Sequence, residues 1–202
     1  MNDRNARGTR ASRLARAVAV PVIILLGATA CSSGDKTAGD DTSSVTEDAK
    51  LAANALDAGL KAHAAGNFGA ATAAYNKTLQ YDAENKYAFY NLALIDEANG
   101  NYGLAEEKYR AALKSDPTYE PSLFNLAILR TARDDPKEAI SLYERAVAAD
   151  KKDAAAWLNL GLLLRDNGQE RAGDKDVLRA IALDPSLTDP AKAAEQAGPA
   201  SP

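Results

Sequence analysis

The chain has 202 residues, 46% of them apolar and 26% charged, with one cysteine, one histidine and a formal net charge of -4. That length suits one helical domain with accessory segments, and a single cysteine excludes an intrachain disulfide. Residues 1–30 carry five arginines against one aspartate, which leaves the remainder near -8, an acidic balance that argues against a nucleic-acid surface.

The chain opens with a basic leader, Arg4, Arg7, Arg10, Arg13 and Arg16, followed by an apolar run from Ala17 to Leu26 and the small residues Gly27-Ala28-Thr29-Ala30. This is the pattern of an export signal. The run is shorter than the roughly 20 residues a spanning helix needs, and Pro21 and Gly27 weaken it further, so a cleaved signal over residues 1–30 is expected. Small residues ending at Cys31, followed by Ser32-Ser33-Gly34-Asp35, resemble the lipobox of a bacterial lipoprotein signal. The resemblance implies that the Cys31 sulfur receives a diacylglycerol and that Cys31 becomes the first residue of the mature protein. Ala28 departs from the family pattern, which usually has Leu or another large aliphatic residue there. The alternatives are an ordinary secretory signal or an uncleaved anchor, with an incidental thiol. Residues 32–46 are polar and short of apolar residues, so with Cys31 they read as a flexible linker reaching on the order of 20 Å. Order is expected to begin near Ser44 or Thr46, where Ser44 and Glu47 have capping-box spacing.

From Ala52 the sequence repeats every 34 residues without insertion: 52–85, 86–119, 120–153 and 154–187. Equivalent places carry Tyr75, Tyr109, Tyr143 and Val177; Ala71, Ala105, Ala139 and Gly173; and Gly66, Gly100, Asp134 and Gly168. Within each repeat the apolar residues fall at helical spacing in two blocks around a break, so each repeat is a helical hairpin. In the second, Phe89, Leu92, Ala93 and Ile95 mark the first helix, Asn99-Gly100-Asn101 ends it, and Leu104, Ala105, Tyr109, Ala112 and Leu113 mark the second. Asp135-Pro136-Lys137-Glu138 supplies the third hairpin with an N-cap and a proline at the first helical position.

Phe89, Leu92, Ala93, Gly100, Tyr102, Ala105, Tyr109, Ala112 and Pro117 resemble the tetratricopeptide repeat, and Trp157, Leu160, Gly161, Gly168, Ala180 and Pro185 repeat much of that pattern. The resemblance covers residues 52–187 and implies an all-α, right-handed superhelical solenoid of four hairpins. Small Ala93 and Ala105 are expected at the closest approach of two helices, with Tyr75, Tyr109 and Tyr143 filling the wider gaps. Asp96 and Arg130, in equivalent places, either pair across the repeat junction or are solvated separately. Gly168 and Gly173 lower the propensity of the last helix, which is expected to fray. After Leu187, residues 188–202 read as a short capping helix ending at Gly198-Pro199, then a disordered tail.

Catalysis finds little support. His63 reads as a solvated surface residue, the Asp134-Asp135 and Glu106-Glu107 pairs lack a reactive context, and no catalytic set, cofactor or metal site is expected. Binding is better supported. In the resembled family, residues one turn apart on the first helices line a concave groove. Here these are Leu56 and Leu60; Tyr87, Tyr90, Asn91 and Leu94; Pro121, Phe124, Asn125 and Ile128; Leu158, Asn159, Leu162 and Arg165. Asn91, Asn125 and Asn159 form a row whose amides can both donate to and accept from an extended peptide. Tyr90, Phe124 and Leu158 stand beside it to receive side chains. The basic clamp by which some relatives hold a chain-terminal carboxylate is not evident at Leu56, Asp57, Pro121 and Asn125, so a neutral or basic, partly apolar segment is the expected ligand.

The expectation is a lipid-anchored scaffold on the outer face of a bacterial cytoplasmic membrane, or on the periplasmic face of an outer membrane. It captures an envelope or secreted protein, or fills its groove with another copy of itself.

Overall fold

The structure is a computed structural model that describes residues 42–189; the signal segment, Cys31 and most of the proposed linker and tail lie outside the described residues. Eight helices and no strand are found there: α1 (Thr42–Ala64), α2 (Phe68–Tyr81), α3 (Lys86–Ala98), α4 (Tyr102–Ser115), α5 (Glu120–Ala132), α6 (Pro136–Ala149), α7 (Ala154–Asp166) and α8 (Glu170–Leu183). They pair as four hairpins, α1 with α2 through α7 with α8, and each second helix packs on the next first helix. The expected all-α solenoid is thus present. Among the described residues no helix is long and apolar enough to cross a membrane.

The repeat grammar sets the helix ends. The turn inside each hairpin needs one residue in the left-handed region, and Gly66, Gly100 and Gly168 adopt it at φ 73°, 77° and 80°. Asp134 takes the same conformation at φ 59° in the third hairpin. There the adjoining Asp135 caps α6, accepting the Glu138 amide at 3.2 Å. Asn67, Asn85 and Asp153 cap α2, α3 and α7 in the same way. At the other end of every hairpin stands an aspartate, Asp82, Asp116, Asp150 or Asp184, whose Oδ1 accepts the amide two residues on. This Asx turn reverses the chain toward the next repeat.

Packing explains the small residues. Ala71, Ala93, Ala105 and Ala139 are fully buried, as are Tyr75 and Tyr109, with Tyr143 nearly so. Two glycines permit a close approach in the fourth hairpin: a Cβ on Gly173 would lie 2.4 Å from Gly161 O, and one on Gly161 would lie 2.7 Å from Gly173 O. Gly173, expected to soften α8, instead lets two backbones touch. In the first hairpin Gly59 serves the Tyr75 ring, which would meet a Cβ at 2.5 Å.

Three expectations are corrected. α1 begins at Thr42, before the Ser44 cap expected, so the end of the presumed spacer is helical. Asp96 and Arg130 neither pair nor stand solvated. Asp96 binds Lys108 of its own hairpin, whereas Arg130 binds Glu138 at 3.0 Å and also Glu106 of the preceding hairpin. In each case a second helix lies nearer than the neighbouring first helix. Thr188 and Asp189 do not begin a helix; Asp189 is instead buried against Arg165, and the remainder of the proposed capping helix lies outside the described residues.

Candidate functional site

Members of the predicted row on α3 and α5 meet. Tyr90 on α3 receives a hydrogen bond at 3.3 Å from the Asn125 amide on α5, and its ring stands edge-on to Tyr119, the N-cap residue of α5. Tyr87 meets the same Tyr119 edge-on, with centroids 5.7 Å apart. Tyr87 is 45% exposed, while Tyr90, Asn91, Leu94, Ile128, Leu158, Asn159 and Leu162 are half-buried. Burial pushes the Tyr90 hydroxyl up to about 12, so it stays a neutral donor and acceptor.

Two predicted residues are not open to a ligand. Phe124 and Asn125 are buried, Phe124 standing edge-on to Tyr143 in the core. The asparagine row is therefore not uniform. Asn91 donates to the Tyr87 carbonyl of its own helix at 2.8 Å, and Asn125 serves Tyr90. The cause lies one repeat earlier: the residue that Asn125 meets is a tyrosine, whereas the same place before Asn91 holds Leu56 and before Asn159 holds Phe124, neither with a hydroxyl.

The edge of the row at the helix N-termini is polar. Lys86 pairs with Asp116 at 2.6 Å, and its ammonium stands 5.2 Å from the Tyr87 centroid and 5.1 Å from that of Tyr119. The Lys86 hydrogen bond, then those from Thr118, hold the Asp116 carboxyl down at about 2. One repeat later Glu120 takes the Lys86 place, and burial first, then Asp153, pushes its carboxyl up to about 8. Neither Lys86, Tyr119 nor Glu120 was singled out from the sequence, because the first and last places of the repeat change from copy to copy.

The other end of the row reveals a rule. The residue twelve before each core tyrosine faces its hydroxyl: His63 lies 3.3 Å from the Tyr75 hydroxyl, Tyr109 donates to Glu97 at 2.7 Å, and Thr131 stands beside the Tyr143 hydroxyl. His63 is thus half-buried, packed edge-on against Phe68 and Tyr75, and not the solvated residue expected; burial lowers its pKa. In the fourth hairpin the tyrosine is Val177, and Arg165 is released to bind Asp174 and Asp189.

Elsewhere, a cleft of about 300 Å³ opens between α4, α5 and α6, lined by Arg110, Lys114, Ser141 and Arg145 over leucines. Its arginines are engaged: Arg110 pairs with Glu138 at 2.6 Å, and Arg145 donates to the Pro117 carbonyl at 2.9 Å. Glu106, from the expected idle carboxylate pair, joins Arg110, Arg130 and Arg133 in this network across the second junction. No group of three or more metal-ligating side chains is found among the described residues.

Models of the tetratricopeptide repeat match residues 56–120, 97–161 and 154–187. No curated protein matches. Solved structures with the same fold include the MamA protein, 24% identical over 69% of this chain and 76% of that one, with a TM-score of 0.60. The pilF protein of Pseudomonas aeruginosa is 21% identical over 70% of this chain and 64% of its own, with a TM-score of 0.61. A Thermobaculum terrenum O-GlcNAc transferase mutant is 26% identical over 58% of this chain but only 22% of that enzyme, with a TM-score of 0.52.

Proposed function

Because the chain belongs to the tetratricopeptide repeat family, we propose that it is an interaction scaffold, not an enzyme, whose first-helix groove holds an extended, partly apolar segment of a protein partner. The observation that carries this reading is the set of apolar first-helix residues left partly open: the exposed Tyr87 with the half-buried Tyr90, Leu94, Ile128, Leu158 and Leu162, beside Asn91 and Asn159. A partly open apolar row can receive the side chains of an extended segment, and the Asn91 and Asn159 amides can donate to and accept from its backbone. Asn125 contributes indirectly, by fixing Tyr90. The polar edge carries Asp150 and Asp153 and so favours a neutral or basic segment over an acidic one.

The leader and Cys31 support a lipid anchor on the outer face of a bacterial cytoplasmic membrane, with the periplasmic face of an outer membrane as the alternative. Two or more acyl chains anchor stably where one is marginal. Fractionation tests the anchor: Cys31→Ser should leave the membrane after signal cleavage, and retention there would refute lipidation.

Affinity capture from the native envelope tests the groove. A Tyr87→Ser, Leu94→Ser, Leu162→Ser variant with an unchanged helical spectrum should lose the partners that the unaltered protein retains. Undiminished capture would sink the reading. If the groove instead holds a second copy, the unaltered protein will be a tight dimer at micromolar concentration and the triple variant a monomer.

A further inference from the structure

The third repeat breaks a charge arrangement that the second repeat makes. In the second, Lys86 at the start of α3 pairs with Asp116, the C-cap residue of α4. In the third, the same two places hold Glu120 and Asp150, so an acid replaces the cation. A further carboxylate, Asp153, is the N-cap of α7 and stands against the Glu120 carboxyl. Asp153 is committed to α7: its Oδ1 accepts the amides of Ala155 at 2.8 Å and Ala156 at 3.1 Å.

Two carboxyl groups can hydrogen-bond only when one keeps a proton. Glu120 is the partner that keeps it. Its Oε1 is buried and meets no hydrogen-bond donor. The titratable groups that face it are Asp150 and Asp153 from the α6–α7 turn, Tyr90 from α3, and Tyr119 at the N-cap of its own helix; among the described residues no lysine or arginine pairs with it. We propose that the proton held between Glu120 and Asp153 latches the third hairpin to the fourth, so that its loss loosens this one junction.

The sign follows from linkage. The Glu120 carboxyl rises from 4.5 in the unfolded chain to about 8 in the folded one, so the folded state binds the proton more tightly. The latch is complete below about 4.5, weakens as the pH rises, and is lost above about 8. Ionised Glu120 would then face Asp150 and Asp153, and the strain falls on the cap of α7. Resting on the groove reading proposed above, loosening this junction reaches two adjacent rows of the groove, Ile128 on α5 and Leu158 and Leu162 on α7. Binding in the groove then becomes sensitive to pH.

Thermal melts of the full-length protein between pH 5 and pH 9 test this, together with Glu120→Gln and Glu120→Lys. The melting temperature of the unaltered protein should fall by several degrees relative to Glu120→Gln as the pH passes from 5 to 8.5. Glu120→Lys, which recreates the Lys86–Asp116 arrangement, should hold its melting temperature across the same interval. Amide exchange at Ala155 and Ala156, corrected for intrinsic pH dependence, should accelerate severalfold in the unaltered protein alone. A difference between the unaltered protein and Glu120→Gln that does not change with pH would overturn the latch. So would a Glu120 carboxyl carbon that titrates near the ordinary glutamate value.

Discussion

Arg165 grips Asp189 through two parallel hydrogen bonds, Nη1 to Oδ1 at 2.8 Å and Nη2 to Oδ2 at 2.9 Å, while its Nε reaches Asp174 at 2.7 Å. The pair exists because the fourth repeat has Val177 where the first three have a tyrosine, leaving its place-twelve residue without a hydroxyl to serve. It pins the chain leaving α8 against the end of α7, where the expected next helix would have drawn the chain away. The Asp189 side chain is only 5% exposed, so Asp189→Ala strands a buried guanidinium edge. It should cost about 2 kcal/mol. Denaturant titration should show this loss, and Arg165→Met should recover part of it.

The fourth hairpin also makes the sharpest packing prediction. Alanine is a better helix former than glycine by about 1 kcal/mol, yet Gly173→Ala would push a methyl group against the Gly161 carbonyl and the Arg165 amide. Overpacking should win, for a net loss of roughly 1 to 3 kcal/mol. Ala105→Leu at the fully buried equivalent place should behave the same way. Melting temperatures of the two variants at or above that of the unaltered protein would refute the close approach.

Tyr109 is the core tyrosine whose hydroxyl bonds a carboxylate, donating to Glu97 at 2.7 Å from a fully buried ring. Tyr109→Phe keeps the ring and deletes only that bond, which should cost about 1 to 2 kcal/mol. The double variant Tyr109→Phe, Glu97→Gln should lose less than the two single changes together. A double-mutant cycle measures that coupling.

Acid acts at the second junction. The hydrogen bonds from Lys86 and Thr118 hold Asp116 at about 2 in the folded state against 3.8 unfolded. A depressed carboxyl stabilises the fold above its unfolded value and loses that contribution as the pH falls through the folded one. The stability of the unaltered protein should therefore drop between about pH 4 and pH 2 more steeply than that of Lys86→Met. Calorimetric melts across that interval decide the point. Parallel profiles would show that the ion pair contributes nothing to the junction.

What the sequence revealed followed the rigidity of each place in the repeat. Tyr75, Tyr109 and Tyr143 were legible because a fully buried gap beside a small residue admits little else. The 34-residue period located every hairpin for the same reason: one insertion would break all the junctions after it. Charged places were not legible in this way, since long side chains choose partners from whichever helix is nearest. Arg130 found Glu106 and Glu138 because neither of those residues shares its helix, and nothing in their spacing announces the meeting. Asn91, Asn125 and Asn159 are identical in sequence and different in environment, because the residue facing each belongs to the preceding repeat. The aspartates Asp82, Asp116, Asp150 and Asp184 repeat strictly, and their turns could have been read from that alone.

The first-helix face is the one that should meet a partner, and in-cell photocrosslinking measures this directly. A benzophenone amino acid placed singly at Tyr87, Leu94, Ile128 or Leu162 should join the protein to one common partner, while the same group at Lys114 or Ser141, in the cleft lined by α4 and α6, should not. Crosslinks to a partner from Lys114 and Ser141 with none from the four groove positions would contradict it.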